Sequence, residues 1–137
     1  MVRSTFAVLL GLVVALAAML LLEYLGMSLF PLPPGVALDN EADLAHLVEA
    51  AGTGKQLWVL MGWAVAAFIG GWVAARTSRI HRTGAALWVG GLIVAGVLLN
   101  VALLPHPAWM TVLGVLLPLP AAWVAARLVR SRVPPSN

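Results

Sequence analysis

The sequence predicts an all-α membrane protein, a bundle of four transmembrane helices, from two observations. Of its 137 residues, 62% are hydrophobic and only 9% are charged, whereas soluble domains carry about 25% charged residues. The apolar residues also fall into four runs of about 20 residues, the length that a helix needs to cross a bilayer core of roughly 30 Å. A chain of this size forms a single transmembrane domain.

The chain divides into four predicted helices and one long loop between the first two. The helices cover about residues 4–30, 55–76, 83–104 and 107–130, and we number them 1 to 4. Helix 1 ends at Pro31, because proline cannot continue a helix. We expect helix 1 to be retained rather than cleaved as a signal peptide, since its apolar run is too long and no small-residue cleavage site follows it.

Basic residues gather on one side of the predicted bundle. Seven of the eight lysines and arginines fall there, namely Arg3, Arg76, Arg79, Arg82, Arg127, Arg130 and Arg132. The other side receives Lys55 and the four acids of the loop 31–54. Cytoplasmic loops carry an excess of lysine and arginine. We therefore expect a bacterial inner-membrane protein with both termini in the cytoplasm and the loop 31–54 outside. Because the arginines mark helix ends rather than one helix face, their charge does not indicate nucleic acid.

A short repeat occurs at the ends of helices 2 and 4. Residues 72–76 and residues 123–127 both read Trp-Val-Ala-Ala-Arg. Helices 1 and 3 share a weaker pattern, in which two leucines precede Glu23 and Asn100. Either the chain is a duplicated helical hairpin with its halves related by an axis along the membrane normal, or this pentapeptide is a generic end of a membrane helix.

Glu23 is the only acid within a predicted span. It lies on the same stripe of helix 1 as Gly11 and Ala15, and small residues of this kind let helices approach closely. An ionisable residue inside a membrane is a candidate functional residue, so Glu23 could exchange protons or bind a ligand. The alternative is structural. Lys55 falls at the same predicted depth, and a Glu23–Lys55 ion pair would fasten helix 1 to helix 2.

Asn100, His106 and Trp109 complete the candidate ligand-binding residues, together with Glu23 and Lys55. Asn100 could form a hydrogen bond to a neighbouring helix and so stabilise helix packing, or it could contact a ligand. Two flanking prolines fix the backbone of His106, which either lines an outward-facing pocket or belongs to a rigid turn. None of these residues has the spacing of metal ligands, and the chain has no cysteine. We therefore expect no metal site, no disulfide and no cofactor.

Prolines also interrupt helix 4. Pro118 and Pro120 fall near its middle, where each lacks an amide hydrogen, frees a carbonyl of the preceding turn and bends the helix. Such a bend either lines a substrate path, as in some transporters, or improves helix packing.

The loop 31–54 is expected to contain a short amphipathic helix. Asp39 or Asn40 can cap its start, and Gly52 can end it. Its apolar stripe consists of Leu44, Leu47, Val48 and Ala51. We expect this segment to lie on the outer surface or to cover the bundle as a lid.

Small residues recur at helical spacing on two predicted helices. Helix 2 carries two adjacent ladders, Ala66, Gly70 and Ala74 beside Ala67, Gly71 and Ala75, and helix 3 carries Gly91 and Ala95. Such ladders indicate close helix contacts. The contacts could lie within the bundle or between subunits.

Two resemblances support the architecture. Asn100, the run Pro-His-Pro-Ala-Trp over residues 105–109, Pro118 and the final Ala-Ala-Arg resemble a group of small four-helix bacterial membrane proteins without an assigned function. The runs 22–26 and 86–90 are similar to motifs of the small multidrug resistance exporters, four-helix proteins that work as dimers with one acid in helix 1. Those exporters place the acid deeper and lack a long outer loop, so we interpret this second likeness as convergence.

Two functions fit these features. The first is a structural or interaction subunit of the inner membrane that packs in the lipid bilayer against a second copy or another membrane protein. The second is a small proton-coupled transporter or exporter with Glu23 as the exchanging carboxyl. We expect no enzymatic activity, because no nucleophile has a neighbouring base.

Overall fold

The computed structural model of the chain describes residues 2–31, 34, 41–78 and 80–130. Four residues to which the sequence analysis gives roles lie outside these ranges, namely Asp39, Asn40, Arg79 and Arg132. The side chains of Leu44 and Val48, half of the apolar stripe expected in the loop, also lie outside the description.

The described residues form six helices joined by short turns. They are α1 (Val2–Leu29), α2 (Glu41–Ala50), α3 (Thr53–Thr77), α4 (Arg82–Leu103), α5 (Ala108–Leu116) and α6 (Pro118–Arg130). Four stretches are long and apolar enough to cross a membrane, namely Ser4–Leu29, Thr53–Thr77, Arg82–Leu103 and Ala108–Val129. The prediction of an all-helical chain with four candidate membrane spans is confirmed. Predicted helices 1, 2 and 3 correspond to α1, α3 and α4.

Predicted helix 4 is divided into α5 and α6 at the first of its two prolines. The backbone of Leu117 keeps helical angles, with φ −74° and ψ −38°. Its amide donates to the Leu113 carbonyl at 2.9 Å, and its own carbonyl accepts from the Ala121 amide at 3.1 Å. Pro118 has no amide hydrogen to donate. The interruption is therefore local, and α5 and α6 together make one candidate span.

The four spans pack as a rhombus with α3 and α4 at its centre. Both central helices contact every other span, whereas α1 has no contact with α5 or α6 among the described residues. Since consecutive spans alternate in direction, α1 and α4 end where α3 and α5 begin. We call this end of the bundle the α2 end. The opposite end, which carries Arg76, Arg82 and Arg127, is the arginine end.

A close helix contact joins α1 to α3 through glycine. A Cβ atom on Gly70 would lie 2.6 Å from the Ala15 Cβ and 2.6 Å from the Gly11 carbonyl oxygen. Non-bonded atoms are most stable near 3.5–4.0 Å, so only glycine permits this approach. Val89 of α4 packs into the same crossing, 3.1 Å from the position that a Cβ on Gly11 would occupy.

A second close contact seats α6 against both central helices. A Cβ on Gly71 or on Gly90 would lie 3.1 or 3.0 Å from the Ala122 Cβ. All six ladder residues of α3 are buried. The two α3 ladders therefore serve contacts within this chain, which decides between the alternatives that the sequence left open. Gly91 differs, because no atom lies within 4 Å of its Cβ position, and Ala95 is exposed.

Alanine substitutions at two buried glycines of α3 should have different effects on stability. Gly70→Ala should lower the free energy of unfolding by roughly 1–3 kcal/mol, because the new methyl group overpacks the α1 crossing. Gly62→Ala should be neutral or stabilising by up to about 1 kcal/mol, since alanine favours helix and no atom lies within 4 Å of that Cβ position. Unfolding in mixed micelles with increasing SDS measures both. Equal losses would contradict the α1–α3 crossing.

Candidate ligand-binding site

A cavity of about 440 Å³ lies at the α2 end, bordered by α1, α3, α4 and α5. Small-molecule sites are usually about 300–1,000 Å³, mostly apolar and furnished with a few polar groups. This cavity has an apolar lining that includes Met19, Val59 and Met110. Its polar lining consists of Glu23, Lys55, Gln56, Asn100 and His106.

The cavity exists because α1 and α4 separate towards the α2 end. On α4, Val89 and Ile93 are buried, whereas Gly96 and Asn100, which continue the same stripe, are exposed. No atom lies within 4 Å of the position that a Cβ on Gly96 would occupy. The side of the cavity between α1 and α4 is therefore a gap, which we call the α1–α4 gap.

Trp58 holds α1 against α3 over the same length. Its indole nitrogen donates to the Leu22 carbonyl oxygen at 2.9 Å. Its ring covers Gly26 so closely that a Cβ there would lie 2.7 Å from the indole nitrogen. α1 therefore stays with α3 near its end, on the side of the cavity away from α4.

The two charged residues of the cavity come from neighbouring helices. Glu23 is exposed and Lys55 is half-buried, and both line the cavity. Within the part of the chain that the structure describes, they form no ion pair with each other. The structural alternative, in which this pair fastens α1 to α3, therefore stays a prediction. The Trp58 contact joins the two helices.

His106 is held at the rim of the cavity by its own turn. Its Nδ1 lies 2.8 Å from the Leu104 carbonyl oxygen, which can only accept a hydrogen bond. Nδ1 therefore carries the hydrogen, and Nε2 is the acceptor of the neutral ring. The imidazole also lies beside the Trp63 indole, with ring centroids 6.1 Å apart and planes tilted by 50°.

Trp63 is a cavity residue that the sequence analysis did not identify. It is 6% exposed, borders the cavity, and sits over Gly114, where a Cβ would lie 2.5 Å from its ring. The available signal was its position. It follows the start of α3 at Thr53 by ten residues, so it is too deep in the span to serve as an interface tryptophan.

Trp109 does not join the site that was predicted for it. Its side chain is 38% exposed and does not line the cavity. The next residue, Met110, is 2% exposed and does line it. One step along a helix turns a side chain by about 100°, and here Met110 faces the cavity while Trp109 does not. The sequence placed Trp109 at the right end of α5 and on the wrong face.

The repeated pentapeptide has the same local arrangement at the ends of α3 and α6. The Arg76 guanidinium lies 5.2 Å from the centroid of the Trp72 ring, and that of Arg127 lies 4.2 Å from the Trp123 ring. Arginine over an aromatic face is a favourable cation–π contact. The alanines between them are buried in both copies.

Comparison with known proteins adds no relative. No protein-family model, curated protein or solved structure matches the chain. The site's chemistry therefore follows from its own groups. The cavity combines an apolar lining with a carboxyl group, an ammonium group, amides and an imidazole. Such a site can bind a ligand that has both charged and apolar parts.

The neutral His106 ring should be protonated on Nδ1. The Leu104 carbonyl accepts from that nitrogen only in this tautomer. Nitrogen-15 NMR of histidine-labelled protein, at a pH where the ring is neutral, reports the tautomer directly, and His106→Gln identifies the signal by its loss. A ring protonated on Nε2 would contradict the observed turn.

Proposed function

We propose that the protein is a small proton-coupled transporter or exporter that takes its ligand into the cavity at the α2 end, with Glu23 as the exchanging carboxyl. The observation that carries this proposal is that Glu23 lines a cavity with Asn100 and His106 while Lys55 leaves it unpaired. Acidic residues inside a membrane that form no structural ion pair are typical of ion and substrate paths.

The shape of the bundle supports the same proposal. At the level of Gly11 and Gly70, α1, α3 and α4 meet without space for one further methyl group. Between this crossing and the α2 end, α1 and α4 separate around the cavity. A site that is open towards one end and closed towards the other corresponds to one of the two states that alternating access requires.

Charge asymmetry supports the orientation in which the arginine end is cytoplasmic. Basic residues favour the cytoplasmic side of a membrane protein, and Arg76, Arg82 and Arg127 all belong to the arginine end. In a bacterial inner membrane, the cavity then faces the outer leaflet. Leu47 and Ala51 border the cavity, which supports the proposal that the loop between α1 and α3 serves as its lid.

Neutralising Glu23 should abolish proton movement through the protein. In liposomes with a trapped pH-sensitive dye, we expect wild-type protein to dissipate an imposed proton gradient and Glu23→Gln to return the rate to that of empty liposomes. Asp43→Asn is the matched control, because it removes an equal charge near the same end without lining the cavity. If Glu23→Gln retains the wild-type rate, Glu23 is not the exchanging carboxyl.

A structural or interaction subunit is the second candidate function. Gly91 and Ala95 form a small-residue strip on the face of α4 that points away from the bundle. No atom lies within 4 Å of the Cβ position on Gly91, and Leu98 continues this strip as an exposed residue. Small residues on a membrane helix permit close approach of another helix. The partner would be a second copy or another membrane protein.

Enlarging Gly91 tests the interaction function. Gly91→Leu should lower self-association, measured by energy transfer between labelled chains in liposomes, by about tenfold or more, because the side chain separates the helix backbones. Gly96→Leu is the control, since it adds the same side chain to another open position of α4. If both variants self-associate as strongly as the wild type, self-association is not the function of this face.

Two further proposals concern the origin of the chain. The matching Trp72–Arg76 and Trp123–Arg127 contacts support duplication of a hairpin. The packing is not two-fold, however, because α1 lacks the contact with α6 that would correspond to the contact between α4 and α3.

Membership of the group of small four-helix bacterial proteins rests on the resemblance of residues 100–127 and stays a proposal.

A further inference from the structure

We propose that the ligand of the cavity is a zwitterionic phospholipid, with its headgroup between Glu23 and Lys55 and its acyl chains in the α1–α4 gap. The inference rests on the proposed role of the cavity as a ligand site. It adds the chemical class of the ligand and its route of entry.

The charges of the cavity fit a zwitterion. Glu23 and Lys55 have opposite charges, line one cavity and form no ion pair with each other. Charges removed from water are costly unless they are paired. An ammonium group beside Glu23 and a phosphate beside Lys55 would pair both at once. A headgroup with only a phosphate would leave the Glu23 carboxylate without a partner.

The openings of the cavity favour a ligand from the bilayer. Towards the α2 end, Leu47 and Ala51 border the cavity with apolar side chains. On the side, beside the α1–α4 gap, no described atom lies within 4 Å of the Cβ position on Gly96. The α1 edge of this gap carries Leu20, which is 71% exposed, and Met27, which is also exposed. Acyl chains can occupy such an apolar gap, whereas a water-soluble zwitterion has no apolar chain to bury there.

The depth of the polar groups corresponds to a lipid headgroup. Glu23 precedes the end of α1 at Leu29 by six residues, and Asn100 precedes the end of α4 at Leu103 by three. At about 1.5 Å per residue, they lie about 9 Å and about 5 Å from the helix ends. The 28 residues of α1 span about 42 Å, which exceeds a hydrocarbon core of about 30 Å. These groups can therefore reach the boundary between headgroups and acyl chains.

Native mass spectrometry of the detergent-solubilised protein tests the charge complementarity. We expect bound phosphatidylethanolamine to be retained about tenfold more strongly than phosphatidylglycerol, which has the phosphate and lacks the ammonium group. Glu23→Gln and Lys55→Gln should each weaken phosphatidylethanolamine binding about tenfold, the effect of losing one charge-assisted hydrogen bond. Asp43→Asn should leave it unchanged. Equal retention of the two lipids, or no loss in either cavity variant, would overturn the proposal.

A second pair of variants tests entry through the gap. Gly96→Leu should reduce phosphatidylethanolamine binding about tenfold by filling the α1–α4 gap, whereas Gly91→Leu, on the opposite face of α4, should not. Glycerophosphoethanolamine, which has the headgroup without acyl chains, should compete poorly. If it competes as well as the lipid, the ligand is a soluble zwitterion and the lipid assignment is wrong.

The two proposals fail separately. Loss of Glu23-dependent proton flux with lipid selectivity intact would overturn the transporter function and leave the lipid site standing. Glu23-dependent flux without lipid selectivity would overturn the lipid site alone.

Discussion

The backbone contact between Gly11 of α1 and Gly70 of α3 determines the shape of the bundle. A Cβ atom on either glycine would meet the other helix at 2.6 Å, so the two helices cross with only glycine and alanine between their backbones. Trp58 fastens the same two helices again near the end of α1. With two attachment points, α1 has its direction fixed relative to α3. It meets α4 at Val89, and the space between α1 and α4 towards the α2 end belongs to the cavity. The candidate site is thus a consequence of close packing elsewhere.

Most of the fold could be predicted from the sequence, because membrane spans follow from length and apolarity. The predicted helix 55–76 is Thr53–Thr77, and the predicted helix 83–104 is Arg82–Leu103. The depth of a residue within its span could be predicted as well, since each residue advances a helix by about 1.5 Å. Glu23, Lys55, Asn100 and His106, chosen largely by depth, line one cavity.

The direction in which a side chain points was harder to predict, because it depends on which helices are neighbours. The sequence placed Glu23 and Lys55 at one depth and suggested an ion pair, but the described residues show none between them. Trp109 was assigned to the site and Trp63 was not, although Trp63 lines the cavity and Trp109 does not. The positions of these two tryptophans depend on the packing of α5 on α3, where the Trp63 ring covers Gly114. Nothing in the spacing of tryptophans along the chain encodes that contact.

The peripheral position of α1 has a consequence for how the protein is made. Gly70 follows Gly11 by 59 residues, so α1 leaves the ribosome long before the helix that it crosses. During that interval α1 has not yet met α3. Its composition suits this, because its mean hydropathy of 2.8 is the highest of the four spans, and that of α3 is the lowest at 1.8. The high apolarity of α1 favours its insertion before α3 is made, whereas α3 is the least apolar span and buries its small residues in helix contacts.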